Sequence, residues 1–326
     1  MNSPITGRKM ILNYEKRMMS FRRENFDVYF HFWHCEDSNE KFEDERLAEL
    51  NINQLYNQYR AKHNIPTANE ICRIREMYDI PANKMADILG FGTNQYRQYE
   101  AGEIPSVSNG RLIMQAADPE DFIKMVKSSK SEIGEVYAND LIKKVFEKID
   151  VKISDEVMDY SEPMSSLSGY RRPSLQRLWS MVIFFSERIQ PYKVKLNKLL
   201  FYADFYHFKL YGNSISGTTY RAIPLGIVPK DYQEYFAKGI YYGILDLNTI
   251  ELFDYNAEQF VGKIPFQKQL FEQSEIEVMQ KVAETFNSSM SNTQIVEINH
   301  KERAWIECEK DKKLVDYNYA FDLKAI

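Results

Sequence analysis

Cysteine is scarce in this chain: Cys35, Cys72 and Cys308 are the only three in 326 residues. Their wide separation excludes a disulfide framework. Long apolar runs are missing as well, so no segment offers the roughly 20 residues that a bilayer-crossing helix needs. The first residues, MNSPITGRKMILNYEKRM, lack an apolar stretch followed by a small-residue cleavage site. These absences point to a cytoplasmic protein with no membrane partner. Positive charge is also short, with 42 Lys and Arg against 47 Asp and Glu and a formal net charge of -5. Phosphate neutralisation supplies most of the affinity of a protein for DNA. A duplex could therefore be held only through a local patch or a dimer. What is plentiful is rings: 22 Tyr and 20 Phe, enough to build cores and interfaces.

The chain is long enough for more than one domain, and it shows no internal repeat. Phe21 to Trp33 reads as one or two strands, with a turn at the charged residues Arg22 to Asn25. The acidic run Glu36 to Glu49 reads as a solvated loop and a helix start, and Leu50 to His63 as a helix ended by Asn64-Ile65-Pro66. Thr67 and Glu70 have the spacing of a capping box. Pro81 suits the first turn of a second helix that stops at Gly90. Further helices fit Thr93 to Ala101, Ser106 to Ala116, Pro119 to Ser128 and Ser131 to Ile149. A Ser-, Pro- and Gly-rich stretch from about Asp150 to Pro173 reads as a linker.

The second half opens on two helices with apolar stripes, Leu175 to Ile189 and Leu196 to Leu210, the latter stopped by Gly212. Thr218 to Val228 contains Pro224 and Gly226 and reads as an ordered loop or short strand. Ile250 to Phe253 and Gln259 to Ile264 form a small strand pair, and helices resume at Ser274 to Asn287 and Asn292 to Ile298. The expected class is mainly α with small β elements (α+β). The expected divisions are 1–63, 64–130, 131–173 and 174–326.

Met85 to Gly102 (MADILGFGTNQYRQYEAG) carries the sharpest pattern. Met85, Leu89 and Phe91 anchor one helix and its turn, Ala86 is small where two helices cross, and Gly90 permits a left-handed helix end. Tyr96 and Tyr99 face inward. Thr93, Asn94, Gln95, Arg97 and Gln98 are left outward, and amides and arginine are the side chains that read adenine and guanine edges. Lys84 and Arg111 are candidates for phosphate contact. The pattern resembles the Cro/C1-type helix-turn-helix within a five-helix domain. The N-terminal half as a whole resembles the MqsA-type antitoxins, in which two Cys-x-x-Cys pairs hold zinc ahead of such a module. Here those pairs fall on Ser3-Pro4-Ile5-Thr6 and Cys35-Glu36-Asp37-Ser38, leaving only Cys35. No metal and no cofactor is expected, because hydroxyls are poor zinc ligands.

Lys195 to Lys230 contains K-L-x-K-L-L-x-Y-A-D, then Tyr220-Arg221-Ala222 before Pro224-x-Gly226-x-x-Pro229. With His300 to Trp305 (HKERAW), these motifs resemble the Panacea, or SocA-like, antitoxin domain over roughly Leu175 to the C-terminus. The resemblance implies a mostly helical domain with a short strand pair that neutralises a protein toxin encoded nearby. Tyr202, Asp204, Tyr220, Arg221, Pro224, Pro229, Lys301 and Glu302 are the candidate toxin-binding residues. Asp204 and His207, one helical turn apart, raise the question of catalysis. No nucleophile with a base, phosphate-cradling loop or ligand cluster accompanies them, and His207 sits on the apolar stripe, so no catalytic residue is expected. The resulting reading is an antitoxin, a homodimer, that holds both a toxin and operator DNA. The alternative is a phage or mobile-element transcriptional regulator without a toxin.

Overall fold

The computed structural model describes residues 1–149, 164–252 and 255–326. By contact the chain divides into two units, Gln58–Glu156 on the one hand and Met1–Asn57 with Val157–Ile326 on the other. Among the described residues the first unit holds helices and no strand, the second combines helices with small antiparallel sheets, and together they make an α+β protein.

The N-terminal segment is a hairpin of β1 (Ile11–Phe21) and β2 (Glu24–Cys35), extended by the short β3 (Glu40–Phe42). Arg22 and Arg23 form its two-residue turn with φ of 47° and 67°, the left-handed pair that matches the twist of a hairpin. Sequence reasoning placed the turn but missed β1, whose alternation is mostly polar and whose residues are largely exposed. Helix α1 (Glu45–His63) begins five residues earlier than expected. It covers the far edge of β2. Asn51 exchanges two hydrogen bonds with the His31 backbone (2.7 and 2.9 Å), and Gln54 does the same with Tyr29 (3.0 and 2.9 Å). The two amides thereby satisfy backbone groups that a third strand would otherwise pair.

The segment 58–156 is a stack of short helices: α2 (Ala68–Glu76), α3 (Ala82–Leu89), α4 (Gln95–Glu100), α5 (Val107–Gln115), α6 (Pro119–Ser128), α7 (Lys130–Ile133) and α8 (Glu135–Ile149). Thr67 and Glu70 do form the capping box. Pro81 caps α3 instead of opening its first turn, and the helix expected over Ser131 to Ile149 is broken at Gly134 (φ 90°). Gly90 ends α3 at φ 70°, as its sequence position requires. The core includes Ile71, Ile74, Met85, Tyr96 and Phe122. Tyr96 donates to the Ile71 carbonyl at 2.8 Å and Tyr78 to that of Ala116 at 2.7 Å, so both buried phenols are satisfied.

The C-terminal body is built around α9 (Leu175–Ile189) and α10 (Lys193–Tyr211). From Lys195 to Phe205 every residue of α10 is buried, so this helix is the axis of the body and not a surface helix with one apolar stripe. The body is completed by β4 (Tyr220–Ile223) and β5 (Gly226–Pro229), α11 (Tyr232–Tyr241), the hairpin β6 (Leu245–Leu252) and β7 (Tyr255–Gly262), α12 (Gln273–Thr285), α13 (Asn292–Asn299), α14 (Arg303–Cys308) and β8 (Leu314–Val315), of which β5, β7, α12 and α13 pack on α10. The sheet order is β5-β4-β8, all antiparallel. Phe253 of the expected strand pair lies outside the described residues.

Of the expected linker, residues 150–163 lie outside the described residues. The remainder is not a linker. Met164, Ser168, Arg171 and Arg172 are buried, Ser166 Oγ donates to Asp316 at 2.5 Å, and Tyr317 N donates to the Ser166 carbonyl at 3.0 Å. The polar composition of this stretch reflects bonds made inside the body. The N-terminal segment belongs to the same unit. Tyr14 OH donates to Asp322 at 2.7 Å, Phe321 lies 4.5 Å from the His31 ring, and Asn57 Nδ2 donates to the Gly212 carbonyl at 3.0 Å. The sequence divisions at 63 and 173 therefore do not coincide with the divisions by contact.

Gly217 (φ 76°) marks a point of very close approach. A Cβ there would lie 2.3 Å from the Arg172 carbonyl oxygen and 2.8 Å from Pro173 N. These are backbone atoms of one segment, so no flexible side-chain end can move aside. Gly217→Ala is expected to destabilise the body by about 3 kcal/mol or more. Urea unfolding of the purified variant checks this, and an unchanged midpoint would contradict it.

Candidate functional site

The motif K-L-x-K-L-L-x-Y-A-D lies on the buried axis α10, and its polar residues are held by specific partners. Lys195 Nζ donates to the carbonyls of Asn287 and Met290, both at 2.6 Å. Lys198 is 1% exposed and lies under the β4–β5 turn, and burial draws its ammonium down to about 7. Asp204 is fully buried. One of its oxygens accepts from Ile215 N (2.8 Å) and Ser216 N (2.7 Å), and the other from Ser216 Oγ (2.5 Å) and Tyr220 OH (2.8 Å). Burial raises its pKa, and these four donors act against that rise. The carboxylate thus fastens α10 to the segment 215–220.

A second buried carboxylate organises the other side. Glu275, with no exposed surface, receives Arg177 at 2.5 Å and Arg171 at 2.7 Å on one oxygen. Its other oxygen accepts from Glu272 N at 2.7 Å. The arginines extend the network to backbone: Arg171 donates to the Ser214 carbonyl, and Arg177 to those of Ile215 and Leu270. Burial alone would raise the Glu275 pKa, but Arg177 and Arg171 hold it down to about 2. His207 is 2% exposed and its Nδ1 lies 2.7 Å from the Asn213 carbonyl. It is a core histidine with one hydrogen bond. Burial depresses its pKa to about 4. The partners of Asp204 and His207 are different residues, and among the described residues no hydrogen bond joins the two, so the sequence spacing does not create an acid–base pair.

The structure corrects five of the expected partner-contacting positions. Tyr202, Asp204, Tyr220, Pro229 and Glu302 are buried, and a side chain closed off by its own domain cannot touch a docked protein. Tyr202 stacks on Phe286 at 4.4 Å, and Glu302 accepts from Lys324 N (3.0 Å), Ala325 N (3.2 Å) and Tyr202 OH (3.3 Å). Glu302 thereby ties the chain end to α10 and α14. Arg221 is half-buried, while Pro224 and Lys301 are exposed. Sequence reasoning missed Leu225 (57% exposed) and Ile306 (58% exposed), because isolated apolar residues carry no pattern. Between them, His300 stacks on Trp305 at 3.8 Å, and Trp305 Nε1 donates to the Ile223 carbonyl at 2.9 Å. The β4–β5 tip is thus fixed against the start of α14.

These are the elements that family comparison identifies. Residues 196–306 match the antitoxin SocA-like Panacea domain. The match begins within α10, ends within α14 and includes both small hairpins of the body. Comparison with curated proteins and with solved structures gave no match. Over residues 196–306 the signature residues are mostly buried, and beside them Pro224, Leu225, Lys301 and Ile306 are exposed.

In the segment 58–156, Thr93, Asn94, Arg97, Gln98 and Arg111 are exposed and Gln95 is half-exposed. Asn94, Arg97 and Gln98 share one face of α4, at steps of three and four residues, opposite the buried Tyr96 and Tyr99. Arg75 pairs with Glu100 at 2.6 Å, joining α2 to α4. Lys84 is half-buried and lies 3.7 Å from Asp87, so its charge is partly matched within α3.

The positions of the expected cysteine pairs do converge. Thr6 Oγ1 lies 3.3 Å from Cys35 Sγ. The hydroxyls of Ser38, Thr6 and Ser3 together hold the thiol down to about 6. One sulfur and three hydroxyls are not a zinc donor set, and no group of three or more His, Cys, Asp or Glu residues suited to a metal exists among the described residues. The residues do not fit the metal. No helix among the described residues is long and apolar enough to cross a membrane.

The buried ionisable groups set the pH dependence of stability. His207 and His31 both have folded pKa values depressed by burial to about 4. Their contribution is present above the unfolded value of about 6.5 and is lost as pH falls through 4. Glu275, also depressed, adds its own loss as pH falls from about 4.5 to about 2. Stability should therefore decline steadily on acidification from pH 6.5. His207→Gln should make the decline between pH 6.5 and 4 shallower by up to about 3 kcal/mol. Urea midpoints across that range measure it, and an identical slope in the variant would refute the assignment.

Proposed function

We propose that this protein is an antitoxin that holds a cognate protein toxin through its C-terminal body and operator DNA through helices α3 and α4. The Panacea match over residues 196–306 carries the first half of this reading. Support for the surface used comes from exposure. The β4–β5 tip, with Pro224 and Leu225, and the neighbouring Lys301 and Ile306 offer apolar and cationic side chains on a backbone already stiffened by the His300–Trp305 stack. Stiff, partly apolar surfaces bind with little ordering cost. The internal commitments of Asp204, Glu275 and His207 favour holding over catalysis.

The DNA-binding half rests on α4. Its Asn94, Arg97 and Gln98 stand on one exposed face, with Thr93 and Gln95 at the helix start and Arg111 on α5. Base-edge contacts give specificity without excess cations, which suits a chain of net charge -5. A homodimer would double the few phosphate contacts available.

Co-expression with the adjacent reading frame tests the whole reading: the frame alone should arrest growth, and this protein should restore it. Separability follows from the division into units. Asn94→Ala with Arg97→Ala should weaken promoter binding roughly 30-fold or more, since each lost bidentate contact costs about 1–3 kcal/mol, while protection persists. Leu225→Asp with Ile306→Asp should do the reverse. Gel-shift and growth assays on the same variants read both. Protection lost with the α4 variant, or kept in the Asp variant, would contradict the assignment of sites.

A further inference from the structure

The unit formed by Met1–Asn57 and Val157–Ile326 contains a cavity of about 190 Å³ that none of the roles above uses. Its walls come from β1 and β2, from α1, from the end of α10 and from the last turn of the chain. Leu47, Leu50 and Phe321 supply apolar lining, and the rings of Tyr14, His31 and Phe321 cluster at 4.5 to 6.3 Å from one another. The charged lining residues, Arg46 and Lys209, are both cations, and no carboxylate lines the space.

Of the two, Lys209 feels the nearby carboxylates of Glu302 and Asp322, whereas Arg46 has no such partner within ion-pair distance among the described residues. Lys209 Nζ donates to the carbonyls of Leu323 (3.1 Å) and Ile326 (2.9 Å), leaving one N–H. His31 is 5% exposed, and its Nδ1 is buried without a hydrogen-bond partner. The His31 ring therefore contributes a face to the cavity wall and not a polar atom. Concave, mainly apolar space with a few convergent polar groups is the usual form of a small-molecule site. An apolar cavity of about 150 Å³ takes a benzene ring, so this one has room for one ring and a small acidic group.

We propose that this cavity binds a small aromatic monocarboxylate, its ring among Tyr14, His31 and Phe321 and its carboxylate facing Arg46 and Lys209. Because the walls belong to the N-terminal sheet and to the C-terminal body alike, the ligand clamps the two together. The site is independent of the antitoxin reading.

Benzoate is the probe. Isothermal titration of the full chain at constant ionic strength should show saturable binding, with benzyl alcohol, the same ring without the charge, at least tenfold weaker. Arg46 is exposed, so Arg46→Met should fold normally and bind benzoate roughly tenfold more weakly, the effect of losing one charge-assisted hydrogen bond. Asn13→Trp, on an exposed strand position lining the cavity, should fill the space and abolish binding. Absence of saturable benzoate binding to the unaltered chain, or equal binding by the Arg46→Met and Asn13→Trp proteins, would overturn the proposal.

Discussion

Two carboxylates without solvent organise the C-terminal body. An ionised group removed from water is tolerated only when its partners are complete, and Glu275 and Asp204 meet that condition in different ways. Glu275 takes two guanidinium groups and a backbone N–H. Asp204 takes two backbone N–H groups and two hydroxyls. Both networks converge on the segment 214–216, whose carbonyls accept from Arg171 and Arg177 and whose N–H groups donate to Asp204. That segment is consequently held from both sides. The bonds fix where β4 starts, and β4 in turn places the Pro224–Leu225 tip.

Such an arrangement has a functional meaning. Groups that could serve as acid, base or ligand are engaged in fixing backbone, and the residues left exposed at the β4–β5 tip are suited to contact. A protein that recognises another protein gains from a preformed surface. The same logic holds in the helical unit, where the Arg75–Glu100 pair and the Tyr96 and Tyr78 phenols secure the helices from inside. The α4 face is thereby free of structural duties, as the proposed contact with a duplex needs.

Much of the helical architecture was legible because it is carried by local rules. The capping box at Thr67, the left-handed stop at Gly90 and the stop at Gly212 are each set by a few neighbouring residues. The errors arose where long-range contacts decide. β1 reads as polar because it pairs with β2 while leaving much of its own surface exposed. The stretch 164–173 looks like a linker because the Ser166 hydroxyl, the Ser168 carbonyl and the Arg171 guanidinium find partners more than 40 residues away. Tyr202, Asp204, Tyr220, Pro229 and Glu302 belong to or adjoin recognisable motifs, but motif membership does not reveal which way a side chain points. Burial assigned them to the framework, and it left Leu225 and Ile306, which belong to no pattern, at the surface.

The distinction between holding a partner and altering it has a direct readout. The activity of the purified toxin can be titrated with increasing amounts of this protein, at several incubation times. A holding role predicts a sharp endpoint at one fixed molar ratio, unchanged by longer incubation. Progressive silencing of a large molar excess of toxin by a trace of the protein would contradict it.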